Sequence, residues 1–256
     1  MSEPIPLSLV VITRDAAAQL AACLASAPFA AEALVVDSGS ADHTVDVAKG
    51  AGARVLVEPW RGFGPQKHFA VAAARHDWVL CLDADERVTP PLAAAIVALF
   101  ERGAPPAGAY AMPRRNRFLG RWLAHGEGYP DWTVRLFDRR RAQWSDDAVH
   151  ERVVCDAVAA RLQGDLLHAS AESIDDYLAK QNRYTSIQAA ALHARGARSS
   201  TWQIVLSPLS RFLRFYVWRL GFLDGAAGFA HIAIGSFASF QKHVKLRALE
   251  LAERQS

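Results

Sequence analysis

Two carboxylates spaced one residue apart, Asp83 and Asp85, close the apolar run Trp78-Val79-Leu80-Cys81-Leu82. In an extended segment residues i and i+2 point to the same side, so the Asp-Ala-Asp triplet presents two hard oxygen donors to one cation. Mg2+ or Mn2+ suits such donors and keeps positions open for water and substrate phosphates. A third carboxylate, Asp37, opens Asp37-Ser38-Gly39-Ser40 directly after Val35-Val36, and Thr13-Arg14-Asp15 follows Val10-Val11-Ile12. An isolated Asp or Ser after a strand is commonly a helix cap or turn residue. Polar residues that recur at successive strand ends point instead to one chemical rim.

The elements that must position these residues follow from hydrophobic pattern. Short apolar runs at Leu7–Ile12, Ala33–Val36, Arg54–Val57 and Trp78–Leu82 read as strands. Between and after them, Ala16–Ala27, Asp42–Ala48, Gln66–Arg75 and Pro90–Arg102 read as helices, the last opened by Thr89 and Pro90. Alternation of this kind predicts an α/β fold with a mainly parallel sheet and helices on both faces. Ligands of such sheets sit beyond the carboxyl ends of the strands, where the polar residues fall. No G-x-G-x-x-G follows the first strand, and neither G-x-x-x-x-G-K-[ST] nor G-x-S-x-G occurs. What remains is a site for a nucleotide diphosphate that works through a metal.

The 256 residues are 51% apolar and 21% charged, with a formal net charge of +3, which excludes wholesale disorder and suits one sizeable domain. That charge is too small to argue for nucleic acid. Cys23, Cys81 and Cys155 are scattered and odd in number, so buried reduced thiols in a cytoplasmic protein are expected rather than disulfides or a zinc site. The N-terminus carries Glu3 and only a short apolar run, so no export signal is expected.

Taken together, Val10-Val11-Ile12-Thr13-Arg14-Asp15, Val35-Val36-Asp37-Ser38-Gly39-Ser40-Ala41-Asp42-His43-Thr44 and Leu82-Asp83-Ala84-Asp85-Glu86 resemble the GT-A-fold family 2 glycosyltransferases. Within them the likeness is to the lipopolysaccharide core-type β-1,4-glucosyltransferases. It rests also on Gly62-Phe63-Gly64-Pro65-Gln66-Lys67, Val149-His150-Glu151, Lys180-Gln181-Asn182-Arg183-Tyr184 and Gly221-Phe222-Leu223-Asp224-Gly225.

The resemblance implies a GT-A (Rossmann-like) fold and nucleotide-sugar contacts from Thr13, Arg14, Asp15, Asp37, Lys67 and Asp83. Asp37 would face the base, and Asp83 would lie near the ribose and the metal. Asp85 would be the direct ligand to Mg2+ or Mn2+, with His168 completing the shell. The family often has Asn where this chain has Asp15. Glu151 is the expected base for the acceptor hydroxyl by its place in the order of motifs, with Asp147 as the fallback.

Between Ala109 and Phe137, Arg and Trp are dense. Arg forks pair with phosphates and carboxylates, and Trp faces stack on sugars, so Arg115, Arg117, Trp122 and Trp132 are expected on the acceptor side.

The chain is expected to divide into a catalytic domain, 1–195, and a basic, aromatic helical tail, 196–256. From Arg195 onward nine basic residues face three acidic ones, so this end carries +6 and the rest −3. Large apolar residues interrupted by Arg211, Arg214 and Arg219 give the pattern of an interfacial amphipathic helix. The longest uncharged stretch, between Asp224 and Lys242, falls short of the roughly 20 residues that span a bilayer.

The expected function is inverting, metal-dependent transfer of a hexose, glucose from UDP-glucose, to a lipopolysaccharide-core or other glycolipid acceptor. The enzyme would work in the cytoplasm, peripheral on the inner face of the membrane. The alternatives are a nucleotidyltransferase, disfavoured because no Gly/Arg/Lys-rich loop follows the first strand, and a non-catalytic membrane-associated scaffold.

Overall fold

The computed structural model describes residues 3–101, 103–145, 151–169 and 173–255. The described elements run β1 (Ile5–Thr13), α1 (Ala17–Ala25), β2 (Ala30–Asp37), α2 (Thr44–Gly50), β3 (Arg54–Val57), α3 (Phe63–Ala73), β4 (Trp78–Asp83), β5 (Glu86–Val88) and α4 (Pro90–Glu101). They continue with β6 (Ala109–Phe118), β7 (Arg121–Trp122), β8 (Asp131–Asp138), β9 (Ala142–Trp144), β10 (Val153–Cys155), β11 (Ala160–Arg161) and β12 (Leu166–His168). Three long helices follow: α5 (Ile174–Ala194), α6 (Thr201–Phe212) and α7 (Gly225–Gln255). A π-helical turn at Leu213–Trp218 and a 3-10 turn at Gly221–Asp224 lie between α6 and α7.

The main sheet runs in the order β3-β2-β1-β4-β8-β6-β12-β5. Its first four strands are parallel, while β8 pairs antiparallel with both β4 and β6. This is the expected GT-A arrangement of a mainly parallel sheet. Period-two alternation explains why helices cover both faces. Leu7, Leu9 and Val11 of β1, with Leu80 and Leu82 of β4, pack against Leu20 and Leu24 of α1 and Leu92 and Ile96 of α4. Val10, Val79 and Cys81 point the other way, onto Ala70 and Val71 of α3.

Of the element limits that differ from the sequence expectation, two have clear local reasons. The third helix begins at Phe63, three residues early, because Gly62 takes φ +100 and Pro65 sits in the first turn, where its missing N–H costs no helix bond. Strand β2 begins at Ala30, so Glu32 pairs beside Ser8 of β1 and accepts its hydroxyl at 2.6 Å.

The chain forms two compact units, 1–115 with 131–169, and 116–130 with 170–256. The boundary expected at 195/196 falls inside the second unit, where α5 packs along α7. Within this unit the Lys245 ammonium donates to Asn182 O and to Thr185 Oγ1, both at 2.7 Å, and Asp224 accepts from the Ala124 and His125 amides. Helix α6 starts with a reciprocal cap between Ser200 and Gln203. An apolar stripe at helical spacing, Trp202, Leu206, Leu209 and Leu213, stays exposed, as does Trp218. Trp202 is 74% and Trp218 83% exposed. Among the described residues no single helix is long and apolar enough to cross a membrane, although Thr201–Trp218 and Gly221–Glu253 pass by length and composition together, bent by 76°.

Candidate functional site

Strand register builds the site in the first unit. Ile12 lies opposite Asp83, and Thr13 opposite Asp37, so the end of β1 separates two carboxylates on its neighbouring strands. Asp37 is buried, and its Oδ2 accepts the Gly39 and Ser40 amides at 2.9 Å each, with the Ser40 hydroxyl on Oδ1. Gly39 takes φ +83, a conformation that suits glycine and lets the loop wrap the carboxylate. Thr13 is buried beside it, while Arg14 and Asp15 are exposed and pair with each other at 3.6 Å. Asp15 adopts φ +51 and accepts the Ala41 amide at 2.7 Å, which ties the two loops together.

Part of the sequence motif is structural. Asp42 accepts the Ala17 amide at 3.1 Å and the Thr44 amide at 3.0 Å, so one side chain fixes the starts of α1 and α2. Gln66, which sequence reasoning gave no role, donates to Ser38 Oγ at 3.1 Å and to Glu58 O at 3.2 Å and seats α3 under the rim.

Asp83 has a cation on each oxygen. Lys67 Nζ lies 3.1 Å from Oδ1 and Arg135 Nη2 2.6 Å from Oδ2. Burial alone would raise the Asp83 carboxyl, but the Arg135 guanidinium and the Lys67 ammonium outweigh it and hold the group well below the ordinary range. Burial pulls Arg135 down, and Asp83 and Glu86 more than reverse it, so its guanidinium is held charged above the ordinary range. The face of the buried Trp144 ring lies 4.3 Å from Lys67 Nζ and 5.7 Å from the Arg135 guanidinium carbon, a cation–π support beneath both.

Asp85 lies apart from these cations and faces His168, with Oδ2 and Nε2 3.2 Å apart. The Asp85 carbonyl accepts the Ala169 amide, which fastens the end of β12 to the Asp-Ala-Asp turn. One carboxylate oxygen and one imidazole nitrogen, both partly exposed, form a donor pair of the chemistry that would suit a divalent cation. Among the described residues no group of three or more His, Cys, Asp or Glu side chains converges on one point.

Glu151 Oε1 accepts from Lys67 Nζ at 2.8 Å, which brings the expected base beside the Asp83 pair. Asp147, with Val149 and His150 of the same motif, lies outside the described residues.

The Arg/Trp-rich segment divides. Arg115 stands 3.7 Å from Asp165, and Trp132 lies under Arg161 at 4.4 Å, all in the first unit. Arg117 and Trp122 form a cross-strand pair in the second unit, 5.9 Å from guanidinium to ring. Arg114 is half-buried and Arg135 buried. Both turn inward to Glu86, whose side chain is completely buried. Alternation along β8 could have shown this for Arg135, which shares a strand face with the core residue Phe137.

All three cysteines are free. Cys23 and Cys81 are buried, and burial pushes the Cys81 thiol up to about 12. Neither acts at the site.

The model of the family described as glycosyl transferase family 2 matches residues 8–161. An uncharacterized glycosyltransferase of Rickettsia typhi is 31% identical over 97% of this chain and 89% of its own. The lipopolysaccharide core biosynthesis glycosyltransferase LpsC of Rhizobium meliloti is 28% identical over 95% of each chain. Among solved structures, a glucosyl-3-phosphoglycerate synthase of Mycobacterium tuberculosis is 19% identical over 77% of this chain and 82% of that one, with a TM-score of 0.47.

Proposed function

The chain belongs to glycosyl transferase family 2, and on that premise we propose that it transfers a hexose, glucose from UDP-glucose, with inversion to a lipopolysaccharide-core or other glycolipid acceptor. The observation that carries this reading is the line of strand ends on which Asp37 lies opposite Thr13 and Asp83 opposite Ile12, with Asp85 and His168 just beyond. Likeness to LpsC along nearly the whole chain supports the acceptor class.

Asp37 and the Thr13–Asp15 turn hold the nucleoside, and Asp83, fixed by Lys67 and Arg135, orients the ribose. Asp85 and His168 would hold Mg2+ or Mn2+. Bound there, the ion neutralises charge on the leaving diphosphate. Glu151 takes the proton from the acceptor hydroxyl as that oxygen attacks the anomeric carbon. Attack comes on the face opposite the diphosphate, the bond from the anomeric carbon to the phosphate oxygen breaks, and UDP leaves. The product linkage is inverted.

Arg115 and Trp132 of the first unit serve an anionic acceptor. The second unit carries the positive charge of the chain and the exposed stripe Trp202-Leu206-Leu209-Leu213, a combination suited to an anionic bilayer surface. On this reading the enzyme sits on the cytoplasmic face of the membrane, where its lipid-linked acceptor is embedded.

A panel of nucleotide sugars in thermal-shift titrations, with and without Mn2+, tests the donor. UDP-glucose should stabilise the protein most, and only fully with metal. Equal shifts from all nucleotides would contradict the donor assignment.

A further inference from the structure

Beneath the site runs a continuous line of alternating charges. Asp131 takes the Arg114 fork at 2.6 and 2.9 Å, and Arg114 stands 3.5 Å from Glu86. Arg135 donates its Nε to Glu86 Oε2 at 2.9 Å and its Nη2 to Glu86 Oε1 at 2.8 Å. The same Nη2 reaches Asp83 Oδ2 at 2.6 Å, and Lys67 continues the line from Asp83 to Glu151. Glu86 also accepts the Asp83 amide at 3.1 Å, so one carboxylate grips the Asp83 backbone while its partner guanidinium grips the Asp83 side chain.

Two features separate this arrangement from ordinary structural packing. Glu86 is wholly buried and Arg135 nearly so, and such a pair is seldom more stable than an apolar pair of the same volume. Its geometry is also directional. A planar guanidinium that spends one edge on Glu86 can offer Asp83 only one orientation, which turns the carboxylate in a fixed direction at the end of β4. Moreover, Glu86 lies opposite His168 in the β5–β12 register, next to Asp85 in sequence, so the pair sits at the root of the whole Asp83–Glu86 turn.

We propose that Arg135 and Glu86 form a buried positioning pair that sets the orientation of Asp83 for the donor nucleotide. Neither residue touches substrate. They act through Asp83, and Arg114 with Asp131 closes the outer end of the line. The proposal rests on the donor reading given above, and the test is arranged to separate the two.

Calorimetric titration of the full-length protein with UDP, in the presence and absence of Mn2+, provides the readout, with melting temperature measured in parallel. Arg135→Lys keeps the charge but lacks the planar fork that holds Glu86 through Nε and Nη2 while Nη2 reaches Asp83. The double variant Arg135→Met with Glu86→Gln removes both charges at nearly constant volume and leaves no orphaned buried ion. Each should weaken UDP binding at least about 10-fold, since misplacement of a positioning contact by roughly an ångström can cost about 100-fold. The double variant should melt close to the native protein. In turnover assays the loss should fall more on KM for the donor than on KM for the acceptor.

A purely structural role would lower the melting temperature and leave UDP affinity of the folded protein unchanged. Native UDP affinity in both variants overturns the proposal while the donor reading stands. If both variants fail to fold, Glu86→Gln, which preserves volume and the Arg135–Asp83 contact, serves in their place. Native affinity there again overturns the proposal, and a several-fold loss supports it. Failure of the native protein itself to bind UDP overturns the donor reading, and the positioning role falls with it.

Discussion

The Lys67 ammonium and the Glu151 carboxylate, 84 positions apart, meet at 2.8 Å. The contact joins the start of α3 to the segment before β10, and the same ammonium touches Asp83 on its other side. Lys67 therefore neutralises two carboxylates at the site. Lys67→Met should destabilise the protein by about 1–3 kcal/mol, the cost of leaving Glu151 without its cation and Asp83 with Arg135 alone. Lys67→Arg should recover part of that loss. Denaturant unfolding of the two variants checks both values.

Glu151→Gln keeps the shape of the expected base and removes its capacity to accept a proton. Turnover should fall about 100-fold to 10,000-fold while UDP affinity stays within about twofold. Near-native turnover in this variant would move the base to Asp147.

Asp85 and His168 face each other without a third protein ligand among the described residues, so loss of either should be felt directly in metal dependence. Asp85→Asn should raise the Mn2+ concentration needed for half-maximal activity by at least about 10-fold, and His168→Ala by a smaller factor. A titration with unchanged midpoints would remove the pair from metal binding.

The second unit offers a separate test. A truncation after Gly196 would strip α7 from α5 and confound folding with membrane contact. Substitution is cleaner: Trp202→Glu with Trp218→Glu alters two of its most exposed aromatic residues. Sedimentation with vesicles rich in phosphatidylserine should show markedly reduced partition of this variant, and added salt should weaken the native protein's partition. Partition equal to the native protein's would refute the bilayer role of the stripe.

Acid stability should depend on Glu32. Burial raises its carboxyl, but the Ser8 hydroxyl, the Arg75 amide and the Arg54 guanidinium outweigh this and hold it below the ordinary value of 4.5. A folded-state value lower than the unfolded one contributes stability above the unfolded value, lost as pH falls through the folded one. Glu32→Gln should therefore cost about 1–3 kcal/mol near neutrality, with the difference from the native protein shrinking below about pH 4.5. Unfolding curves at several pH values check the convergence.

Much of the first unit was legible in its residues because each strand states its own burial. Leu7-Ser8-Leu9-Val10-Val11 alternates between two apolar faces, and the polar residues that follow each run mark the carboxyl ends. Asp37, Asp83 and Asp85 could be found this way. Glu86, Arg114 and Arg135 could not be assigned from residue type, because a charged side chain reads as exposed until its partner is known. Arg114 and Arg135 meet Glu86 across 28 and 49 positions, a pairing without local signal, although alternation along β8 places Arg135 on the face of Phe137. The boundary at 195/196 followed the change in composition, whereas the compact unit follows packing of α5 on α7.

Sugar transfer from UDP-glucose is tested most directly by incubating the purified protein with UDP-glucose, Mn2+ and deglucosylated lipopolysaccharide core, followed by NMR of the product. UDP should be released in equal amount to a new β-linked glucose on the core, at least about 100-fold more slowly in Glu151→Gln. Release of pyrophosphate, or an α-linked product, would contradict it.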